Sequence, residues 1–405
     1  MMSAEGAGTT AAIVSMFWIL LAVFLAPIVA RMLRGYVPDV VLLLAFGVLI
    51  GGHGVGLADT AGGVDLVSEL GLGLLFLLAG YEIDPRTLGG RQGGFAWGTW
   101  LFCLALATGA GLLLVPDFGF TAAVALGIAL SSTALGTLLP ILKQLGIQES
   151  SLGRAVLIHG AVGELGPVLA MAVLLSTHSP WASLVLLVVF GLAVLVIWLV
   201  PQRLVARDPR LFRFIHSSAD GTGQLMMRAT MLMLMALMAV AAVFDLDVVL
   251  GAFAAGAVLR QIGDGLDKAL AHKLDAVGYG FLIPVFFVVS GMGIDIGAVV
   301  TSPLTWLGAV AAIWVFRGVP VWASERVFDT GSGLMPGQRR QLALFAATGL
   351  PIIVAVTGVA VSNDLMPRQL ASSLVAAGAT TVLLFPLLAQ LAGMRNARLT
   401  DSLAA

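Results

Sequence analysis

Long apolar stretches alternate with short polar loops along this 405-residue chain. A bilayer-crossing helix needs about 20 mostly apolar residues. By that measure the pattern predicts thirteen spans, at 9–30, 38–57, 66–82, 93–115, 119–142, 153–176, 180–201, 222–244, 247–262, 277–294, 303–327, 339–361 and 369–392. The third and ninth are short. The predicted fold class is an all-α polytopic membrane protein.

The polar loops orient these spans. One alternating set carries Arg31/Arg34, Arg86/Arg91, Lys143/Arg154, Arg203/Arg207/Arg210/Arg213, Arg260/Lys268/Lys273 and Arg326/Arg339/Arg340, with Arg395 and Arg398 after the last span. The other set carries Asp59/Asp65, Asp117, Asp245/Asp247, Asp295 and Asp364, with Arg368 as its one basic residue. Lys and Arg collect on the cytoplasmic side. The expected topology is therefore N-terminus outside and C-terminus cytoplasmic, in the inner (plasma) membrane. Glu5 precedes the first run and Arg31 follows it, the reverse of a signal peptide's charge order, so the first span is expected to be permanent.

The longest connection, 201–221, is basic. It divides the chain into 1–201, six spans plus a seventh linker helix, a cytoplasmic linker at 202–221, and 222–405, six more spans. A seventh span flips the second six, which is the arrangement of an inverted-repeat transporter. The polar stretch 264–275 reads as a short surface helix.

Composition narrows the function. Apolar residues make up 59% and charged residues 11%, against about 25% charged in soluble domains. A soluble enzyme is excluded. A net charge of −1 points to no nucleic-acid partner. Cys103 is a lone cysteine in an apolar run, and reads as a small buried hydrophobe. The methionines of 226–238 read as packing residues. With no Ser/His/Asp set, metal cluster or phosphate loop, neither catalysis nor a cofactor is expected.

Candidate chemistry begins with Glu164, the acidic residue placed deep inside an apolar run, 153–176. A charge there costs roughly 2.5–3.5 kcal/mol on insertion. Two matched spans, the fifth of each set of six, carry helix-weakening segments: Ser131-Ser132-Thr133 with Gly136 and Pro140, and Thr348-Gly349 with Pro351. Broken backbone at membrane depth is tolerated where it lines a cavity or lies within protein, and paired interruptions point to a transport site. Arg317, deep in the eleventh span, stays charged and needs partners. Glu164 is its expected counter-charge. His159, five residues before Glu164, is a candidate proton relay, or more simply a hydrogen-bonding packing residue. Glu82 and Asp84 fall at the inner end of the third span.

These residues resemble the monovalent cation:proton antiporters, in the branch of bacterial sodium/proton exchangers and the membrane domain of potassium-efflux antiporters. The resemblance is carried by Leu74-Leu75-Phe76-Leu77-Leu78-Ala79-Gly80-Tyr81-Glu82-Ile83-Asp84, by Ala129-Leu130-Ser131-Ser132-Thr133-Ala134 with Leu139-Pro140, by Leu250-Gly251-Ala252-Phe253 with Pro284-Val285-Phe286-Phe287, and by Arg317-Gly318-Val319-Pro320. It covers the membrane domain only, and the regulatory nucleotide-binding domain of the potassium-efflux relatives is not expected within these 405 residues. It implies a homodimer, two crossed broken helices per protomer and elevator-type alternating access. The family usually places an Asp, preceded by a polar residue, where this chain has Gly163-Glu164.

The expected function is exchange of protons for Na+ or K+. Both ions compete for Glu164, and hydroxyls and carbonyls of Ser131, Ser132, Thr133 and Thr348 complete the monovalent-cation site. Arg317 balances charge. One acid predicts one cation per proton, hence electroneutral exchange. Two other readings stand beside it: the same fold carrying an organic anion on Arg317, and a cation pathway independent of protons. Expected partners are membrane lipid, the transported ions and a second copy of the chain.

Overall fold

The computed structural model describes residues 2–33, 37–82, 88–115, 119–175, 180–207, 225–244, 246–262 and 268–404, and all regular structure among them is helical. The helices are α1 (Met2–Met32), α2 (Asp39–Ile50), α3 (Val64–Glu82), α4 (Arg91–Leu114), α5 (Phe120–Ser131), α6 (Leu135–Gln144), α7 (Ser151–Leu174), α8 (Pro180–Arg207), α9 (Leu225–Val243), α10 (Val248–Ile262), α11 (Lys268–Val277), α12 (Ile283–Met292), α13 (Ile296–Thr301), α14 (Pro303–Ile313), α15 (Val319–Val327), α16 (Pro336–Ala346), α17 (Pro351–Ser362) and α18 (Arg368–Ala404). Every apolar run falls on a helix. Among the described residues, ten helical stretches are long and apolar enough to cross a membrane, and Asp39–Ile50, Val185–Val196 and Val248–Gln261 are shorter apolar helices. Large apolar side chains such as Phe24, Trp181 and Leu304 stand exposed, as befits a surface solvated by lipid.

Three stretches differ from the sequence reading. The second span is helical only to Ile50, because Gly51, Gly52, Gly54 and Gly56 follow closely and Gly56 turns left-handed at φ +72°. The expected surface helix at 264–275 does not stand apart: from Lys268 onward it runs straight into the tenth span, since Leu270 and Leu274, one turn apart, are both buried. Residues 264–267 lie outside the described residues. The last helix continues to Ala404, no proline following Pro386 to end it. Arg34, Asp84, Arg86, Asp117, Arg210, Arg213, Asp245 and the linker beyond Arg207 also lie outside the described residues.

Two spans change pitch without breaking. α11 passes into α12 through a π-helical turn, Gly278–Leu282, and α14 into α15 through another, Trp314–Gly318. Each is followed two residues later by a proline, Pro284 and Pro320. Proline cannot donate to the carbonyl four residues back, and its ring crowds that carbonyl. A widened turn gives the ring room.

Packing divides the chain into two compact units: Met1–Asp65, Asp84–Met171 and Phe287–Ala405 in one, Leu66–Ile83 and Ala172–Phe286 in the other. Each draws on both sequence halves, so this partition by contact differs from the repeats expected by topology. In the second unit, α3 and α10 approach closely. Gly80 abuts the Phe253 carbonyl and Gly256 the Leu77 carbonyl, and a Cβ at either glycine would overlap backbone. Arg260 caps α3 by donating to the Tyr81 and Glu82 carbonyls, at 2.9 and 3.1 Å. In the first unit, Leu138, Leu142, Val156, Val321, Leu342 and Phe345 form a core that joins α6, α7, α15 and α16. That core supports the candidate site.

Candidate functional site

Two helices of the first unit break in mid-span. α5 stops at Ser131 and α6 resumes at Leu135; α16 stops at Ala346 and α17 resumes at Pro351. The local causes are readable. Ser and Thr hydroxyls compete for backbone carbonyls, and Ser132 sits extended at φ −76°, ψ 157°. Pro351 disfavours helical geometry at the residue before it, Leu350, which lies at φ −143°.

Backbone groups freed at this depth need partners, and the two breaks supply them to each other. The Ala134 N–H donates to the Thr348 carbonyl at 2.7 Å. The Thr133 hydroxyl donates to the Ala346 carbonyl at 2.6 Å. Thr381 of α18 closes the second break: its hydroxyl lies 3.3 Å from both N and O of Gly349.

The third wall is α7. Pro167 lies inside this helix and has no N–H for the carbonyl four residues back, which is that of Gly163. That carbonyl instead accepts the Thr133 N–H at 2.8 Å. One missing hydrogen bond in α7 is thus used to hold the broken fifth span. A Cβ at Gly163 would overlap the Thr133 hydroxyl and come within 2.5 Å of Arg317 Nη2. Glu164, the next residue, is 2% exposed.

Arg317 is fully buried in the π-helical turn. Its Nε donates to Thr133 Oγ1 at 3.1 Å, its Nη2 to the His159 carbonyl at 2.8 Å, and its Nη1 lies 4.0 Å from Cys103 Sγ. The guanidinium therefore ties the eleventh span to the broken fifth span and to α7. It meets α7 at Gly163, directly before Glu164.

Ser131, Ser132, Thr133 and Thr348 are all fully buried. Each hydroxyl donates its single proton to a main-chain carbonyl: Ser131 to Ile128, Ser132 to Ala129, Thr133 to Ala346 and Thr348 to Leu344. Their oxygens keep lone-pair capacity, as cation coordination requires. Thr133, Gly163, Arg317 and the Ala346 and His159 carbonyls form one hydrogen-bonded assembly, which the Thr348 carbonyl joins through the Ala134 N–H. The Ser131, Ser132 and Thr348 hydroxyls turn back onto their own helices instead.

Sequence reasoning passed over several residues. Glu325 falls near the end of the eleventh run and ahead of Arg326, a position that reads as interfacial, yet it is 4% exposed. It faces the His159 ring, and the Thr330 and Ser332 hydroxyls donate to it. Its spacing of eight residues from Arg317 on one span was the available signal. Cys103, read as a small hydrophobe, also reaches the Arg317 guanidinium.

A family model described as sodium/hydrogen exchanger, transmembrane, matches residues 20–390. The putative Na(+)/H(+) antiporter YjbQ of Bacillus subtilis (strain 168) is 27% identical over 365 residues, covering 83% of this chain. The chain spans 57% of that relative's length. Among solved structures, the sodium proton antiporter MjNhaP1 of Methanocaldococcus jannaschii at pH 8 superimposes with a TM-score of 0.63 at 16% identity, covering 94% of this chain and 97% of that one. An electron-microscopy structure of the same antiporter gives 0.63 at 18% identity, covering 94% and 96%. These structures share the overall fold of this chain. The chain belongs to the sodium/hydrogen exchanger family of cation:proton antiporters.

Proposed function

We propose that this protein exchanges protons for a monovalent cation, Na+ or K+, at Glu164. The observation that carries this reading is a buried carboxyl beside the crossing of two broken helices, with Arg317 anchored against the preceding residue. A carboxylate holds either a proton or a metal cation, and this exclusion couples the two fluxes. Buried oxygens of the fifth and twelfth spans lie on the neighbouring breaks. The half-helix N-termini of α6 and α17 and the C-termini of α5 and α16 add opposed dipoles there.

Arg317 gives its hydrogen bonds to Thr133 and His159, which favours a charge-balancing role over anchoring an organic anion. With Glu164 as the exchanging acid, the transport is electroneutral, one cation per proton. By family resemblance the working unit is a homodimer in the plasma membrane, N-terminus outside, and the site alternates by elevator-type movement.

The test is a cation panel in proteoliposomes, with proton flux read by an entrapped pH dye. Na+ or K+ gradients drive proton flux in the wild type, and Glu164→Gln abolishes it. Flux driven by carboxylate solutes, or cation flux indifferent to the proton gradient, would replace this reading with one of its alternatives.

A further inference from the structure

Helices α7 and α15 meet at a second pair of ionisable groups. His159 and Glu325 are 2% and 4% exposed, and His159 Nε2 lies 3.4 Å from Glu325 Oε1. The carboxyl's other oxygen accepts from Thr330 and from Ser332. Both hydroxyls belong to the loop between α15 and α16. That loop also carries Asp329, exposed and paired with Arg91 of α4 at 3.1 Å. A line of polar groups thus runs from the exposed loop through two hydroxyls to a buried carboxyl and a buried imidazole.

His159 Nδ1 is buried and has no hydrogen-bond partner. When Nε2–H faces an ionised Glu325, Nδ1 bears an open lone pair, and the next proton has a place to bind there. A buried polar atom left in that condition is costly to maintain without a role. The same residue's carbonyl holds Arg317 Nη2. His159 is therefore gripped twice by the eleventh span, through its ring by Glu325 and through its carbonyl by Arg317.

We propose that His159 and Glu325 form a second proton-binding site, separate from Glu164, whose occupancy sets the pH range of exchange. The proposal rests on the exchanger reading for its effect, though not for the existence of the site. A proton entering by way of Ser332 and Thr330 binds the pair and raises its net charge by one. This alters the hold of α15 on α7, and with it the placement of Arg317 against Gly163. Glu325 is a positioning residue, acting through His159 rather than on the transported cation. Most of the other charged groups on the surrounding elements are engaged or belong to the cation site, while Arg339 Nε is buried with no hydrogen-bond partner. Arg91 pairs with Asp329, Arg326 stacks on Trp322, Arg154 bonds the Glu149 carbonyl, and Arg317 and Glu164 lie at the crossing; Arg339 and Arg340 lie on α16.

The experiment uses the full chain in proteoliposomes. Sodium-driven proton flux is measured against pH for wild type, Glu325→Gln and Thr330→Val. The expected result for Glu325→Gln is a midpoint displaced by about one pH unit or more, with the maximal rate within about twofold of wild type. Thr330→Val, which keeps every charge, moves the midpoint the same way by less. An unmoved midpoint in both variants overturns the proposal. If Glu325→Gln does not insert, Thr330→Val alone decides it. Infrared difference spectra on a Glu164→Gln background supply a readout that needs no transport. A carboxyl band titrates there, and its position shifts in Thr330→Val. A band that does not titrate overturns the second site. A titrating band in a protein whose wild type shows no proton-coupled flux would refute the exchanger reading and leave the second site standing.

Discussion

Gly163 and Glu164 sit side by side with opposite demands. In the proposed exchange Glu164 is the group that a proton and a cation share, so Glu164→Gln, similar in size and unable to ionise, is expected to insert normally and exchange nothing. Size-exclusion profile and proton flux together check this. Gly163 has to be small, because Thr133 and Arg317 Nη2 fill the space a side chain would take. Overpacking of this kind costs about 1–3 kcal/mol, and Gly163→Ala is expected to lower exchange at least about tenfold with a lower melting temperature. An alanine variant with wild-type flux and stability would show that the contact yields freely. The acid, the deep arginine and the hydroxyl clusters were legible in the sequence because each is out of place in an apolar run. Gly163 read there as a missing polar group; the structure places part of a guanidinium in that position, from a residue 154 positions away. Glu325 was hidden for the opposite reason. An acid at the end of a run looks like any interfacial charge, and only the folded loop 328–335 shows that it is covered.

At the scale of elements, the breaks in the fifth and twelfth spans were legible from Ser131-Ser132-Thr133 and Thr348-Gly349-Leu350-Pro351. Their mutual hydrogen bonds were not, since backbone pairing across distant segments leaves no mark in residue type. Pro167 carries no such mark either, yet the carbonyl it frees holds Thr133. Restoring an N–H there gives Gly163 O a competing donor. Pro167→Ala is therefore expected to slow exchange several-fold while leaving the melting temperature unchanged or raised, a split that loss of fold would not produce. Equal losses in rate and stability would speak against it. The two π-helical turns escaped the sequence reading because nearly uniform apolar character offers no period from which to see one extra residue per turn.

For the whole molecule, the spans followed from run length and their expected orientation from loop charge; the extent of the second and last helices did not, since glycine clustering and a lack of helix stops act below that resolution. If transport is a competition for one acid, the equilibrium distribution of cation follows the pH gradient alone, unchanged by an imposed membrane potential; a displaced end point would show net charge moving with each cycle. Competition itself is tested most directly by the cation dependence of proteoliposome flux at a series of pH values. If the proton and the cation exclude each other at Glu164, the apparent KM for cation rises about tenfold per unit of acidification below the site's pKa while the maximal rate holds. An apparent KM that stays constant as the maximal rate falls would place the proton elsewhere and contradict the account.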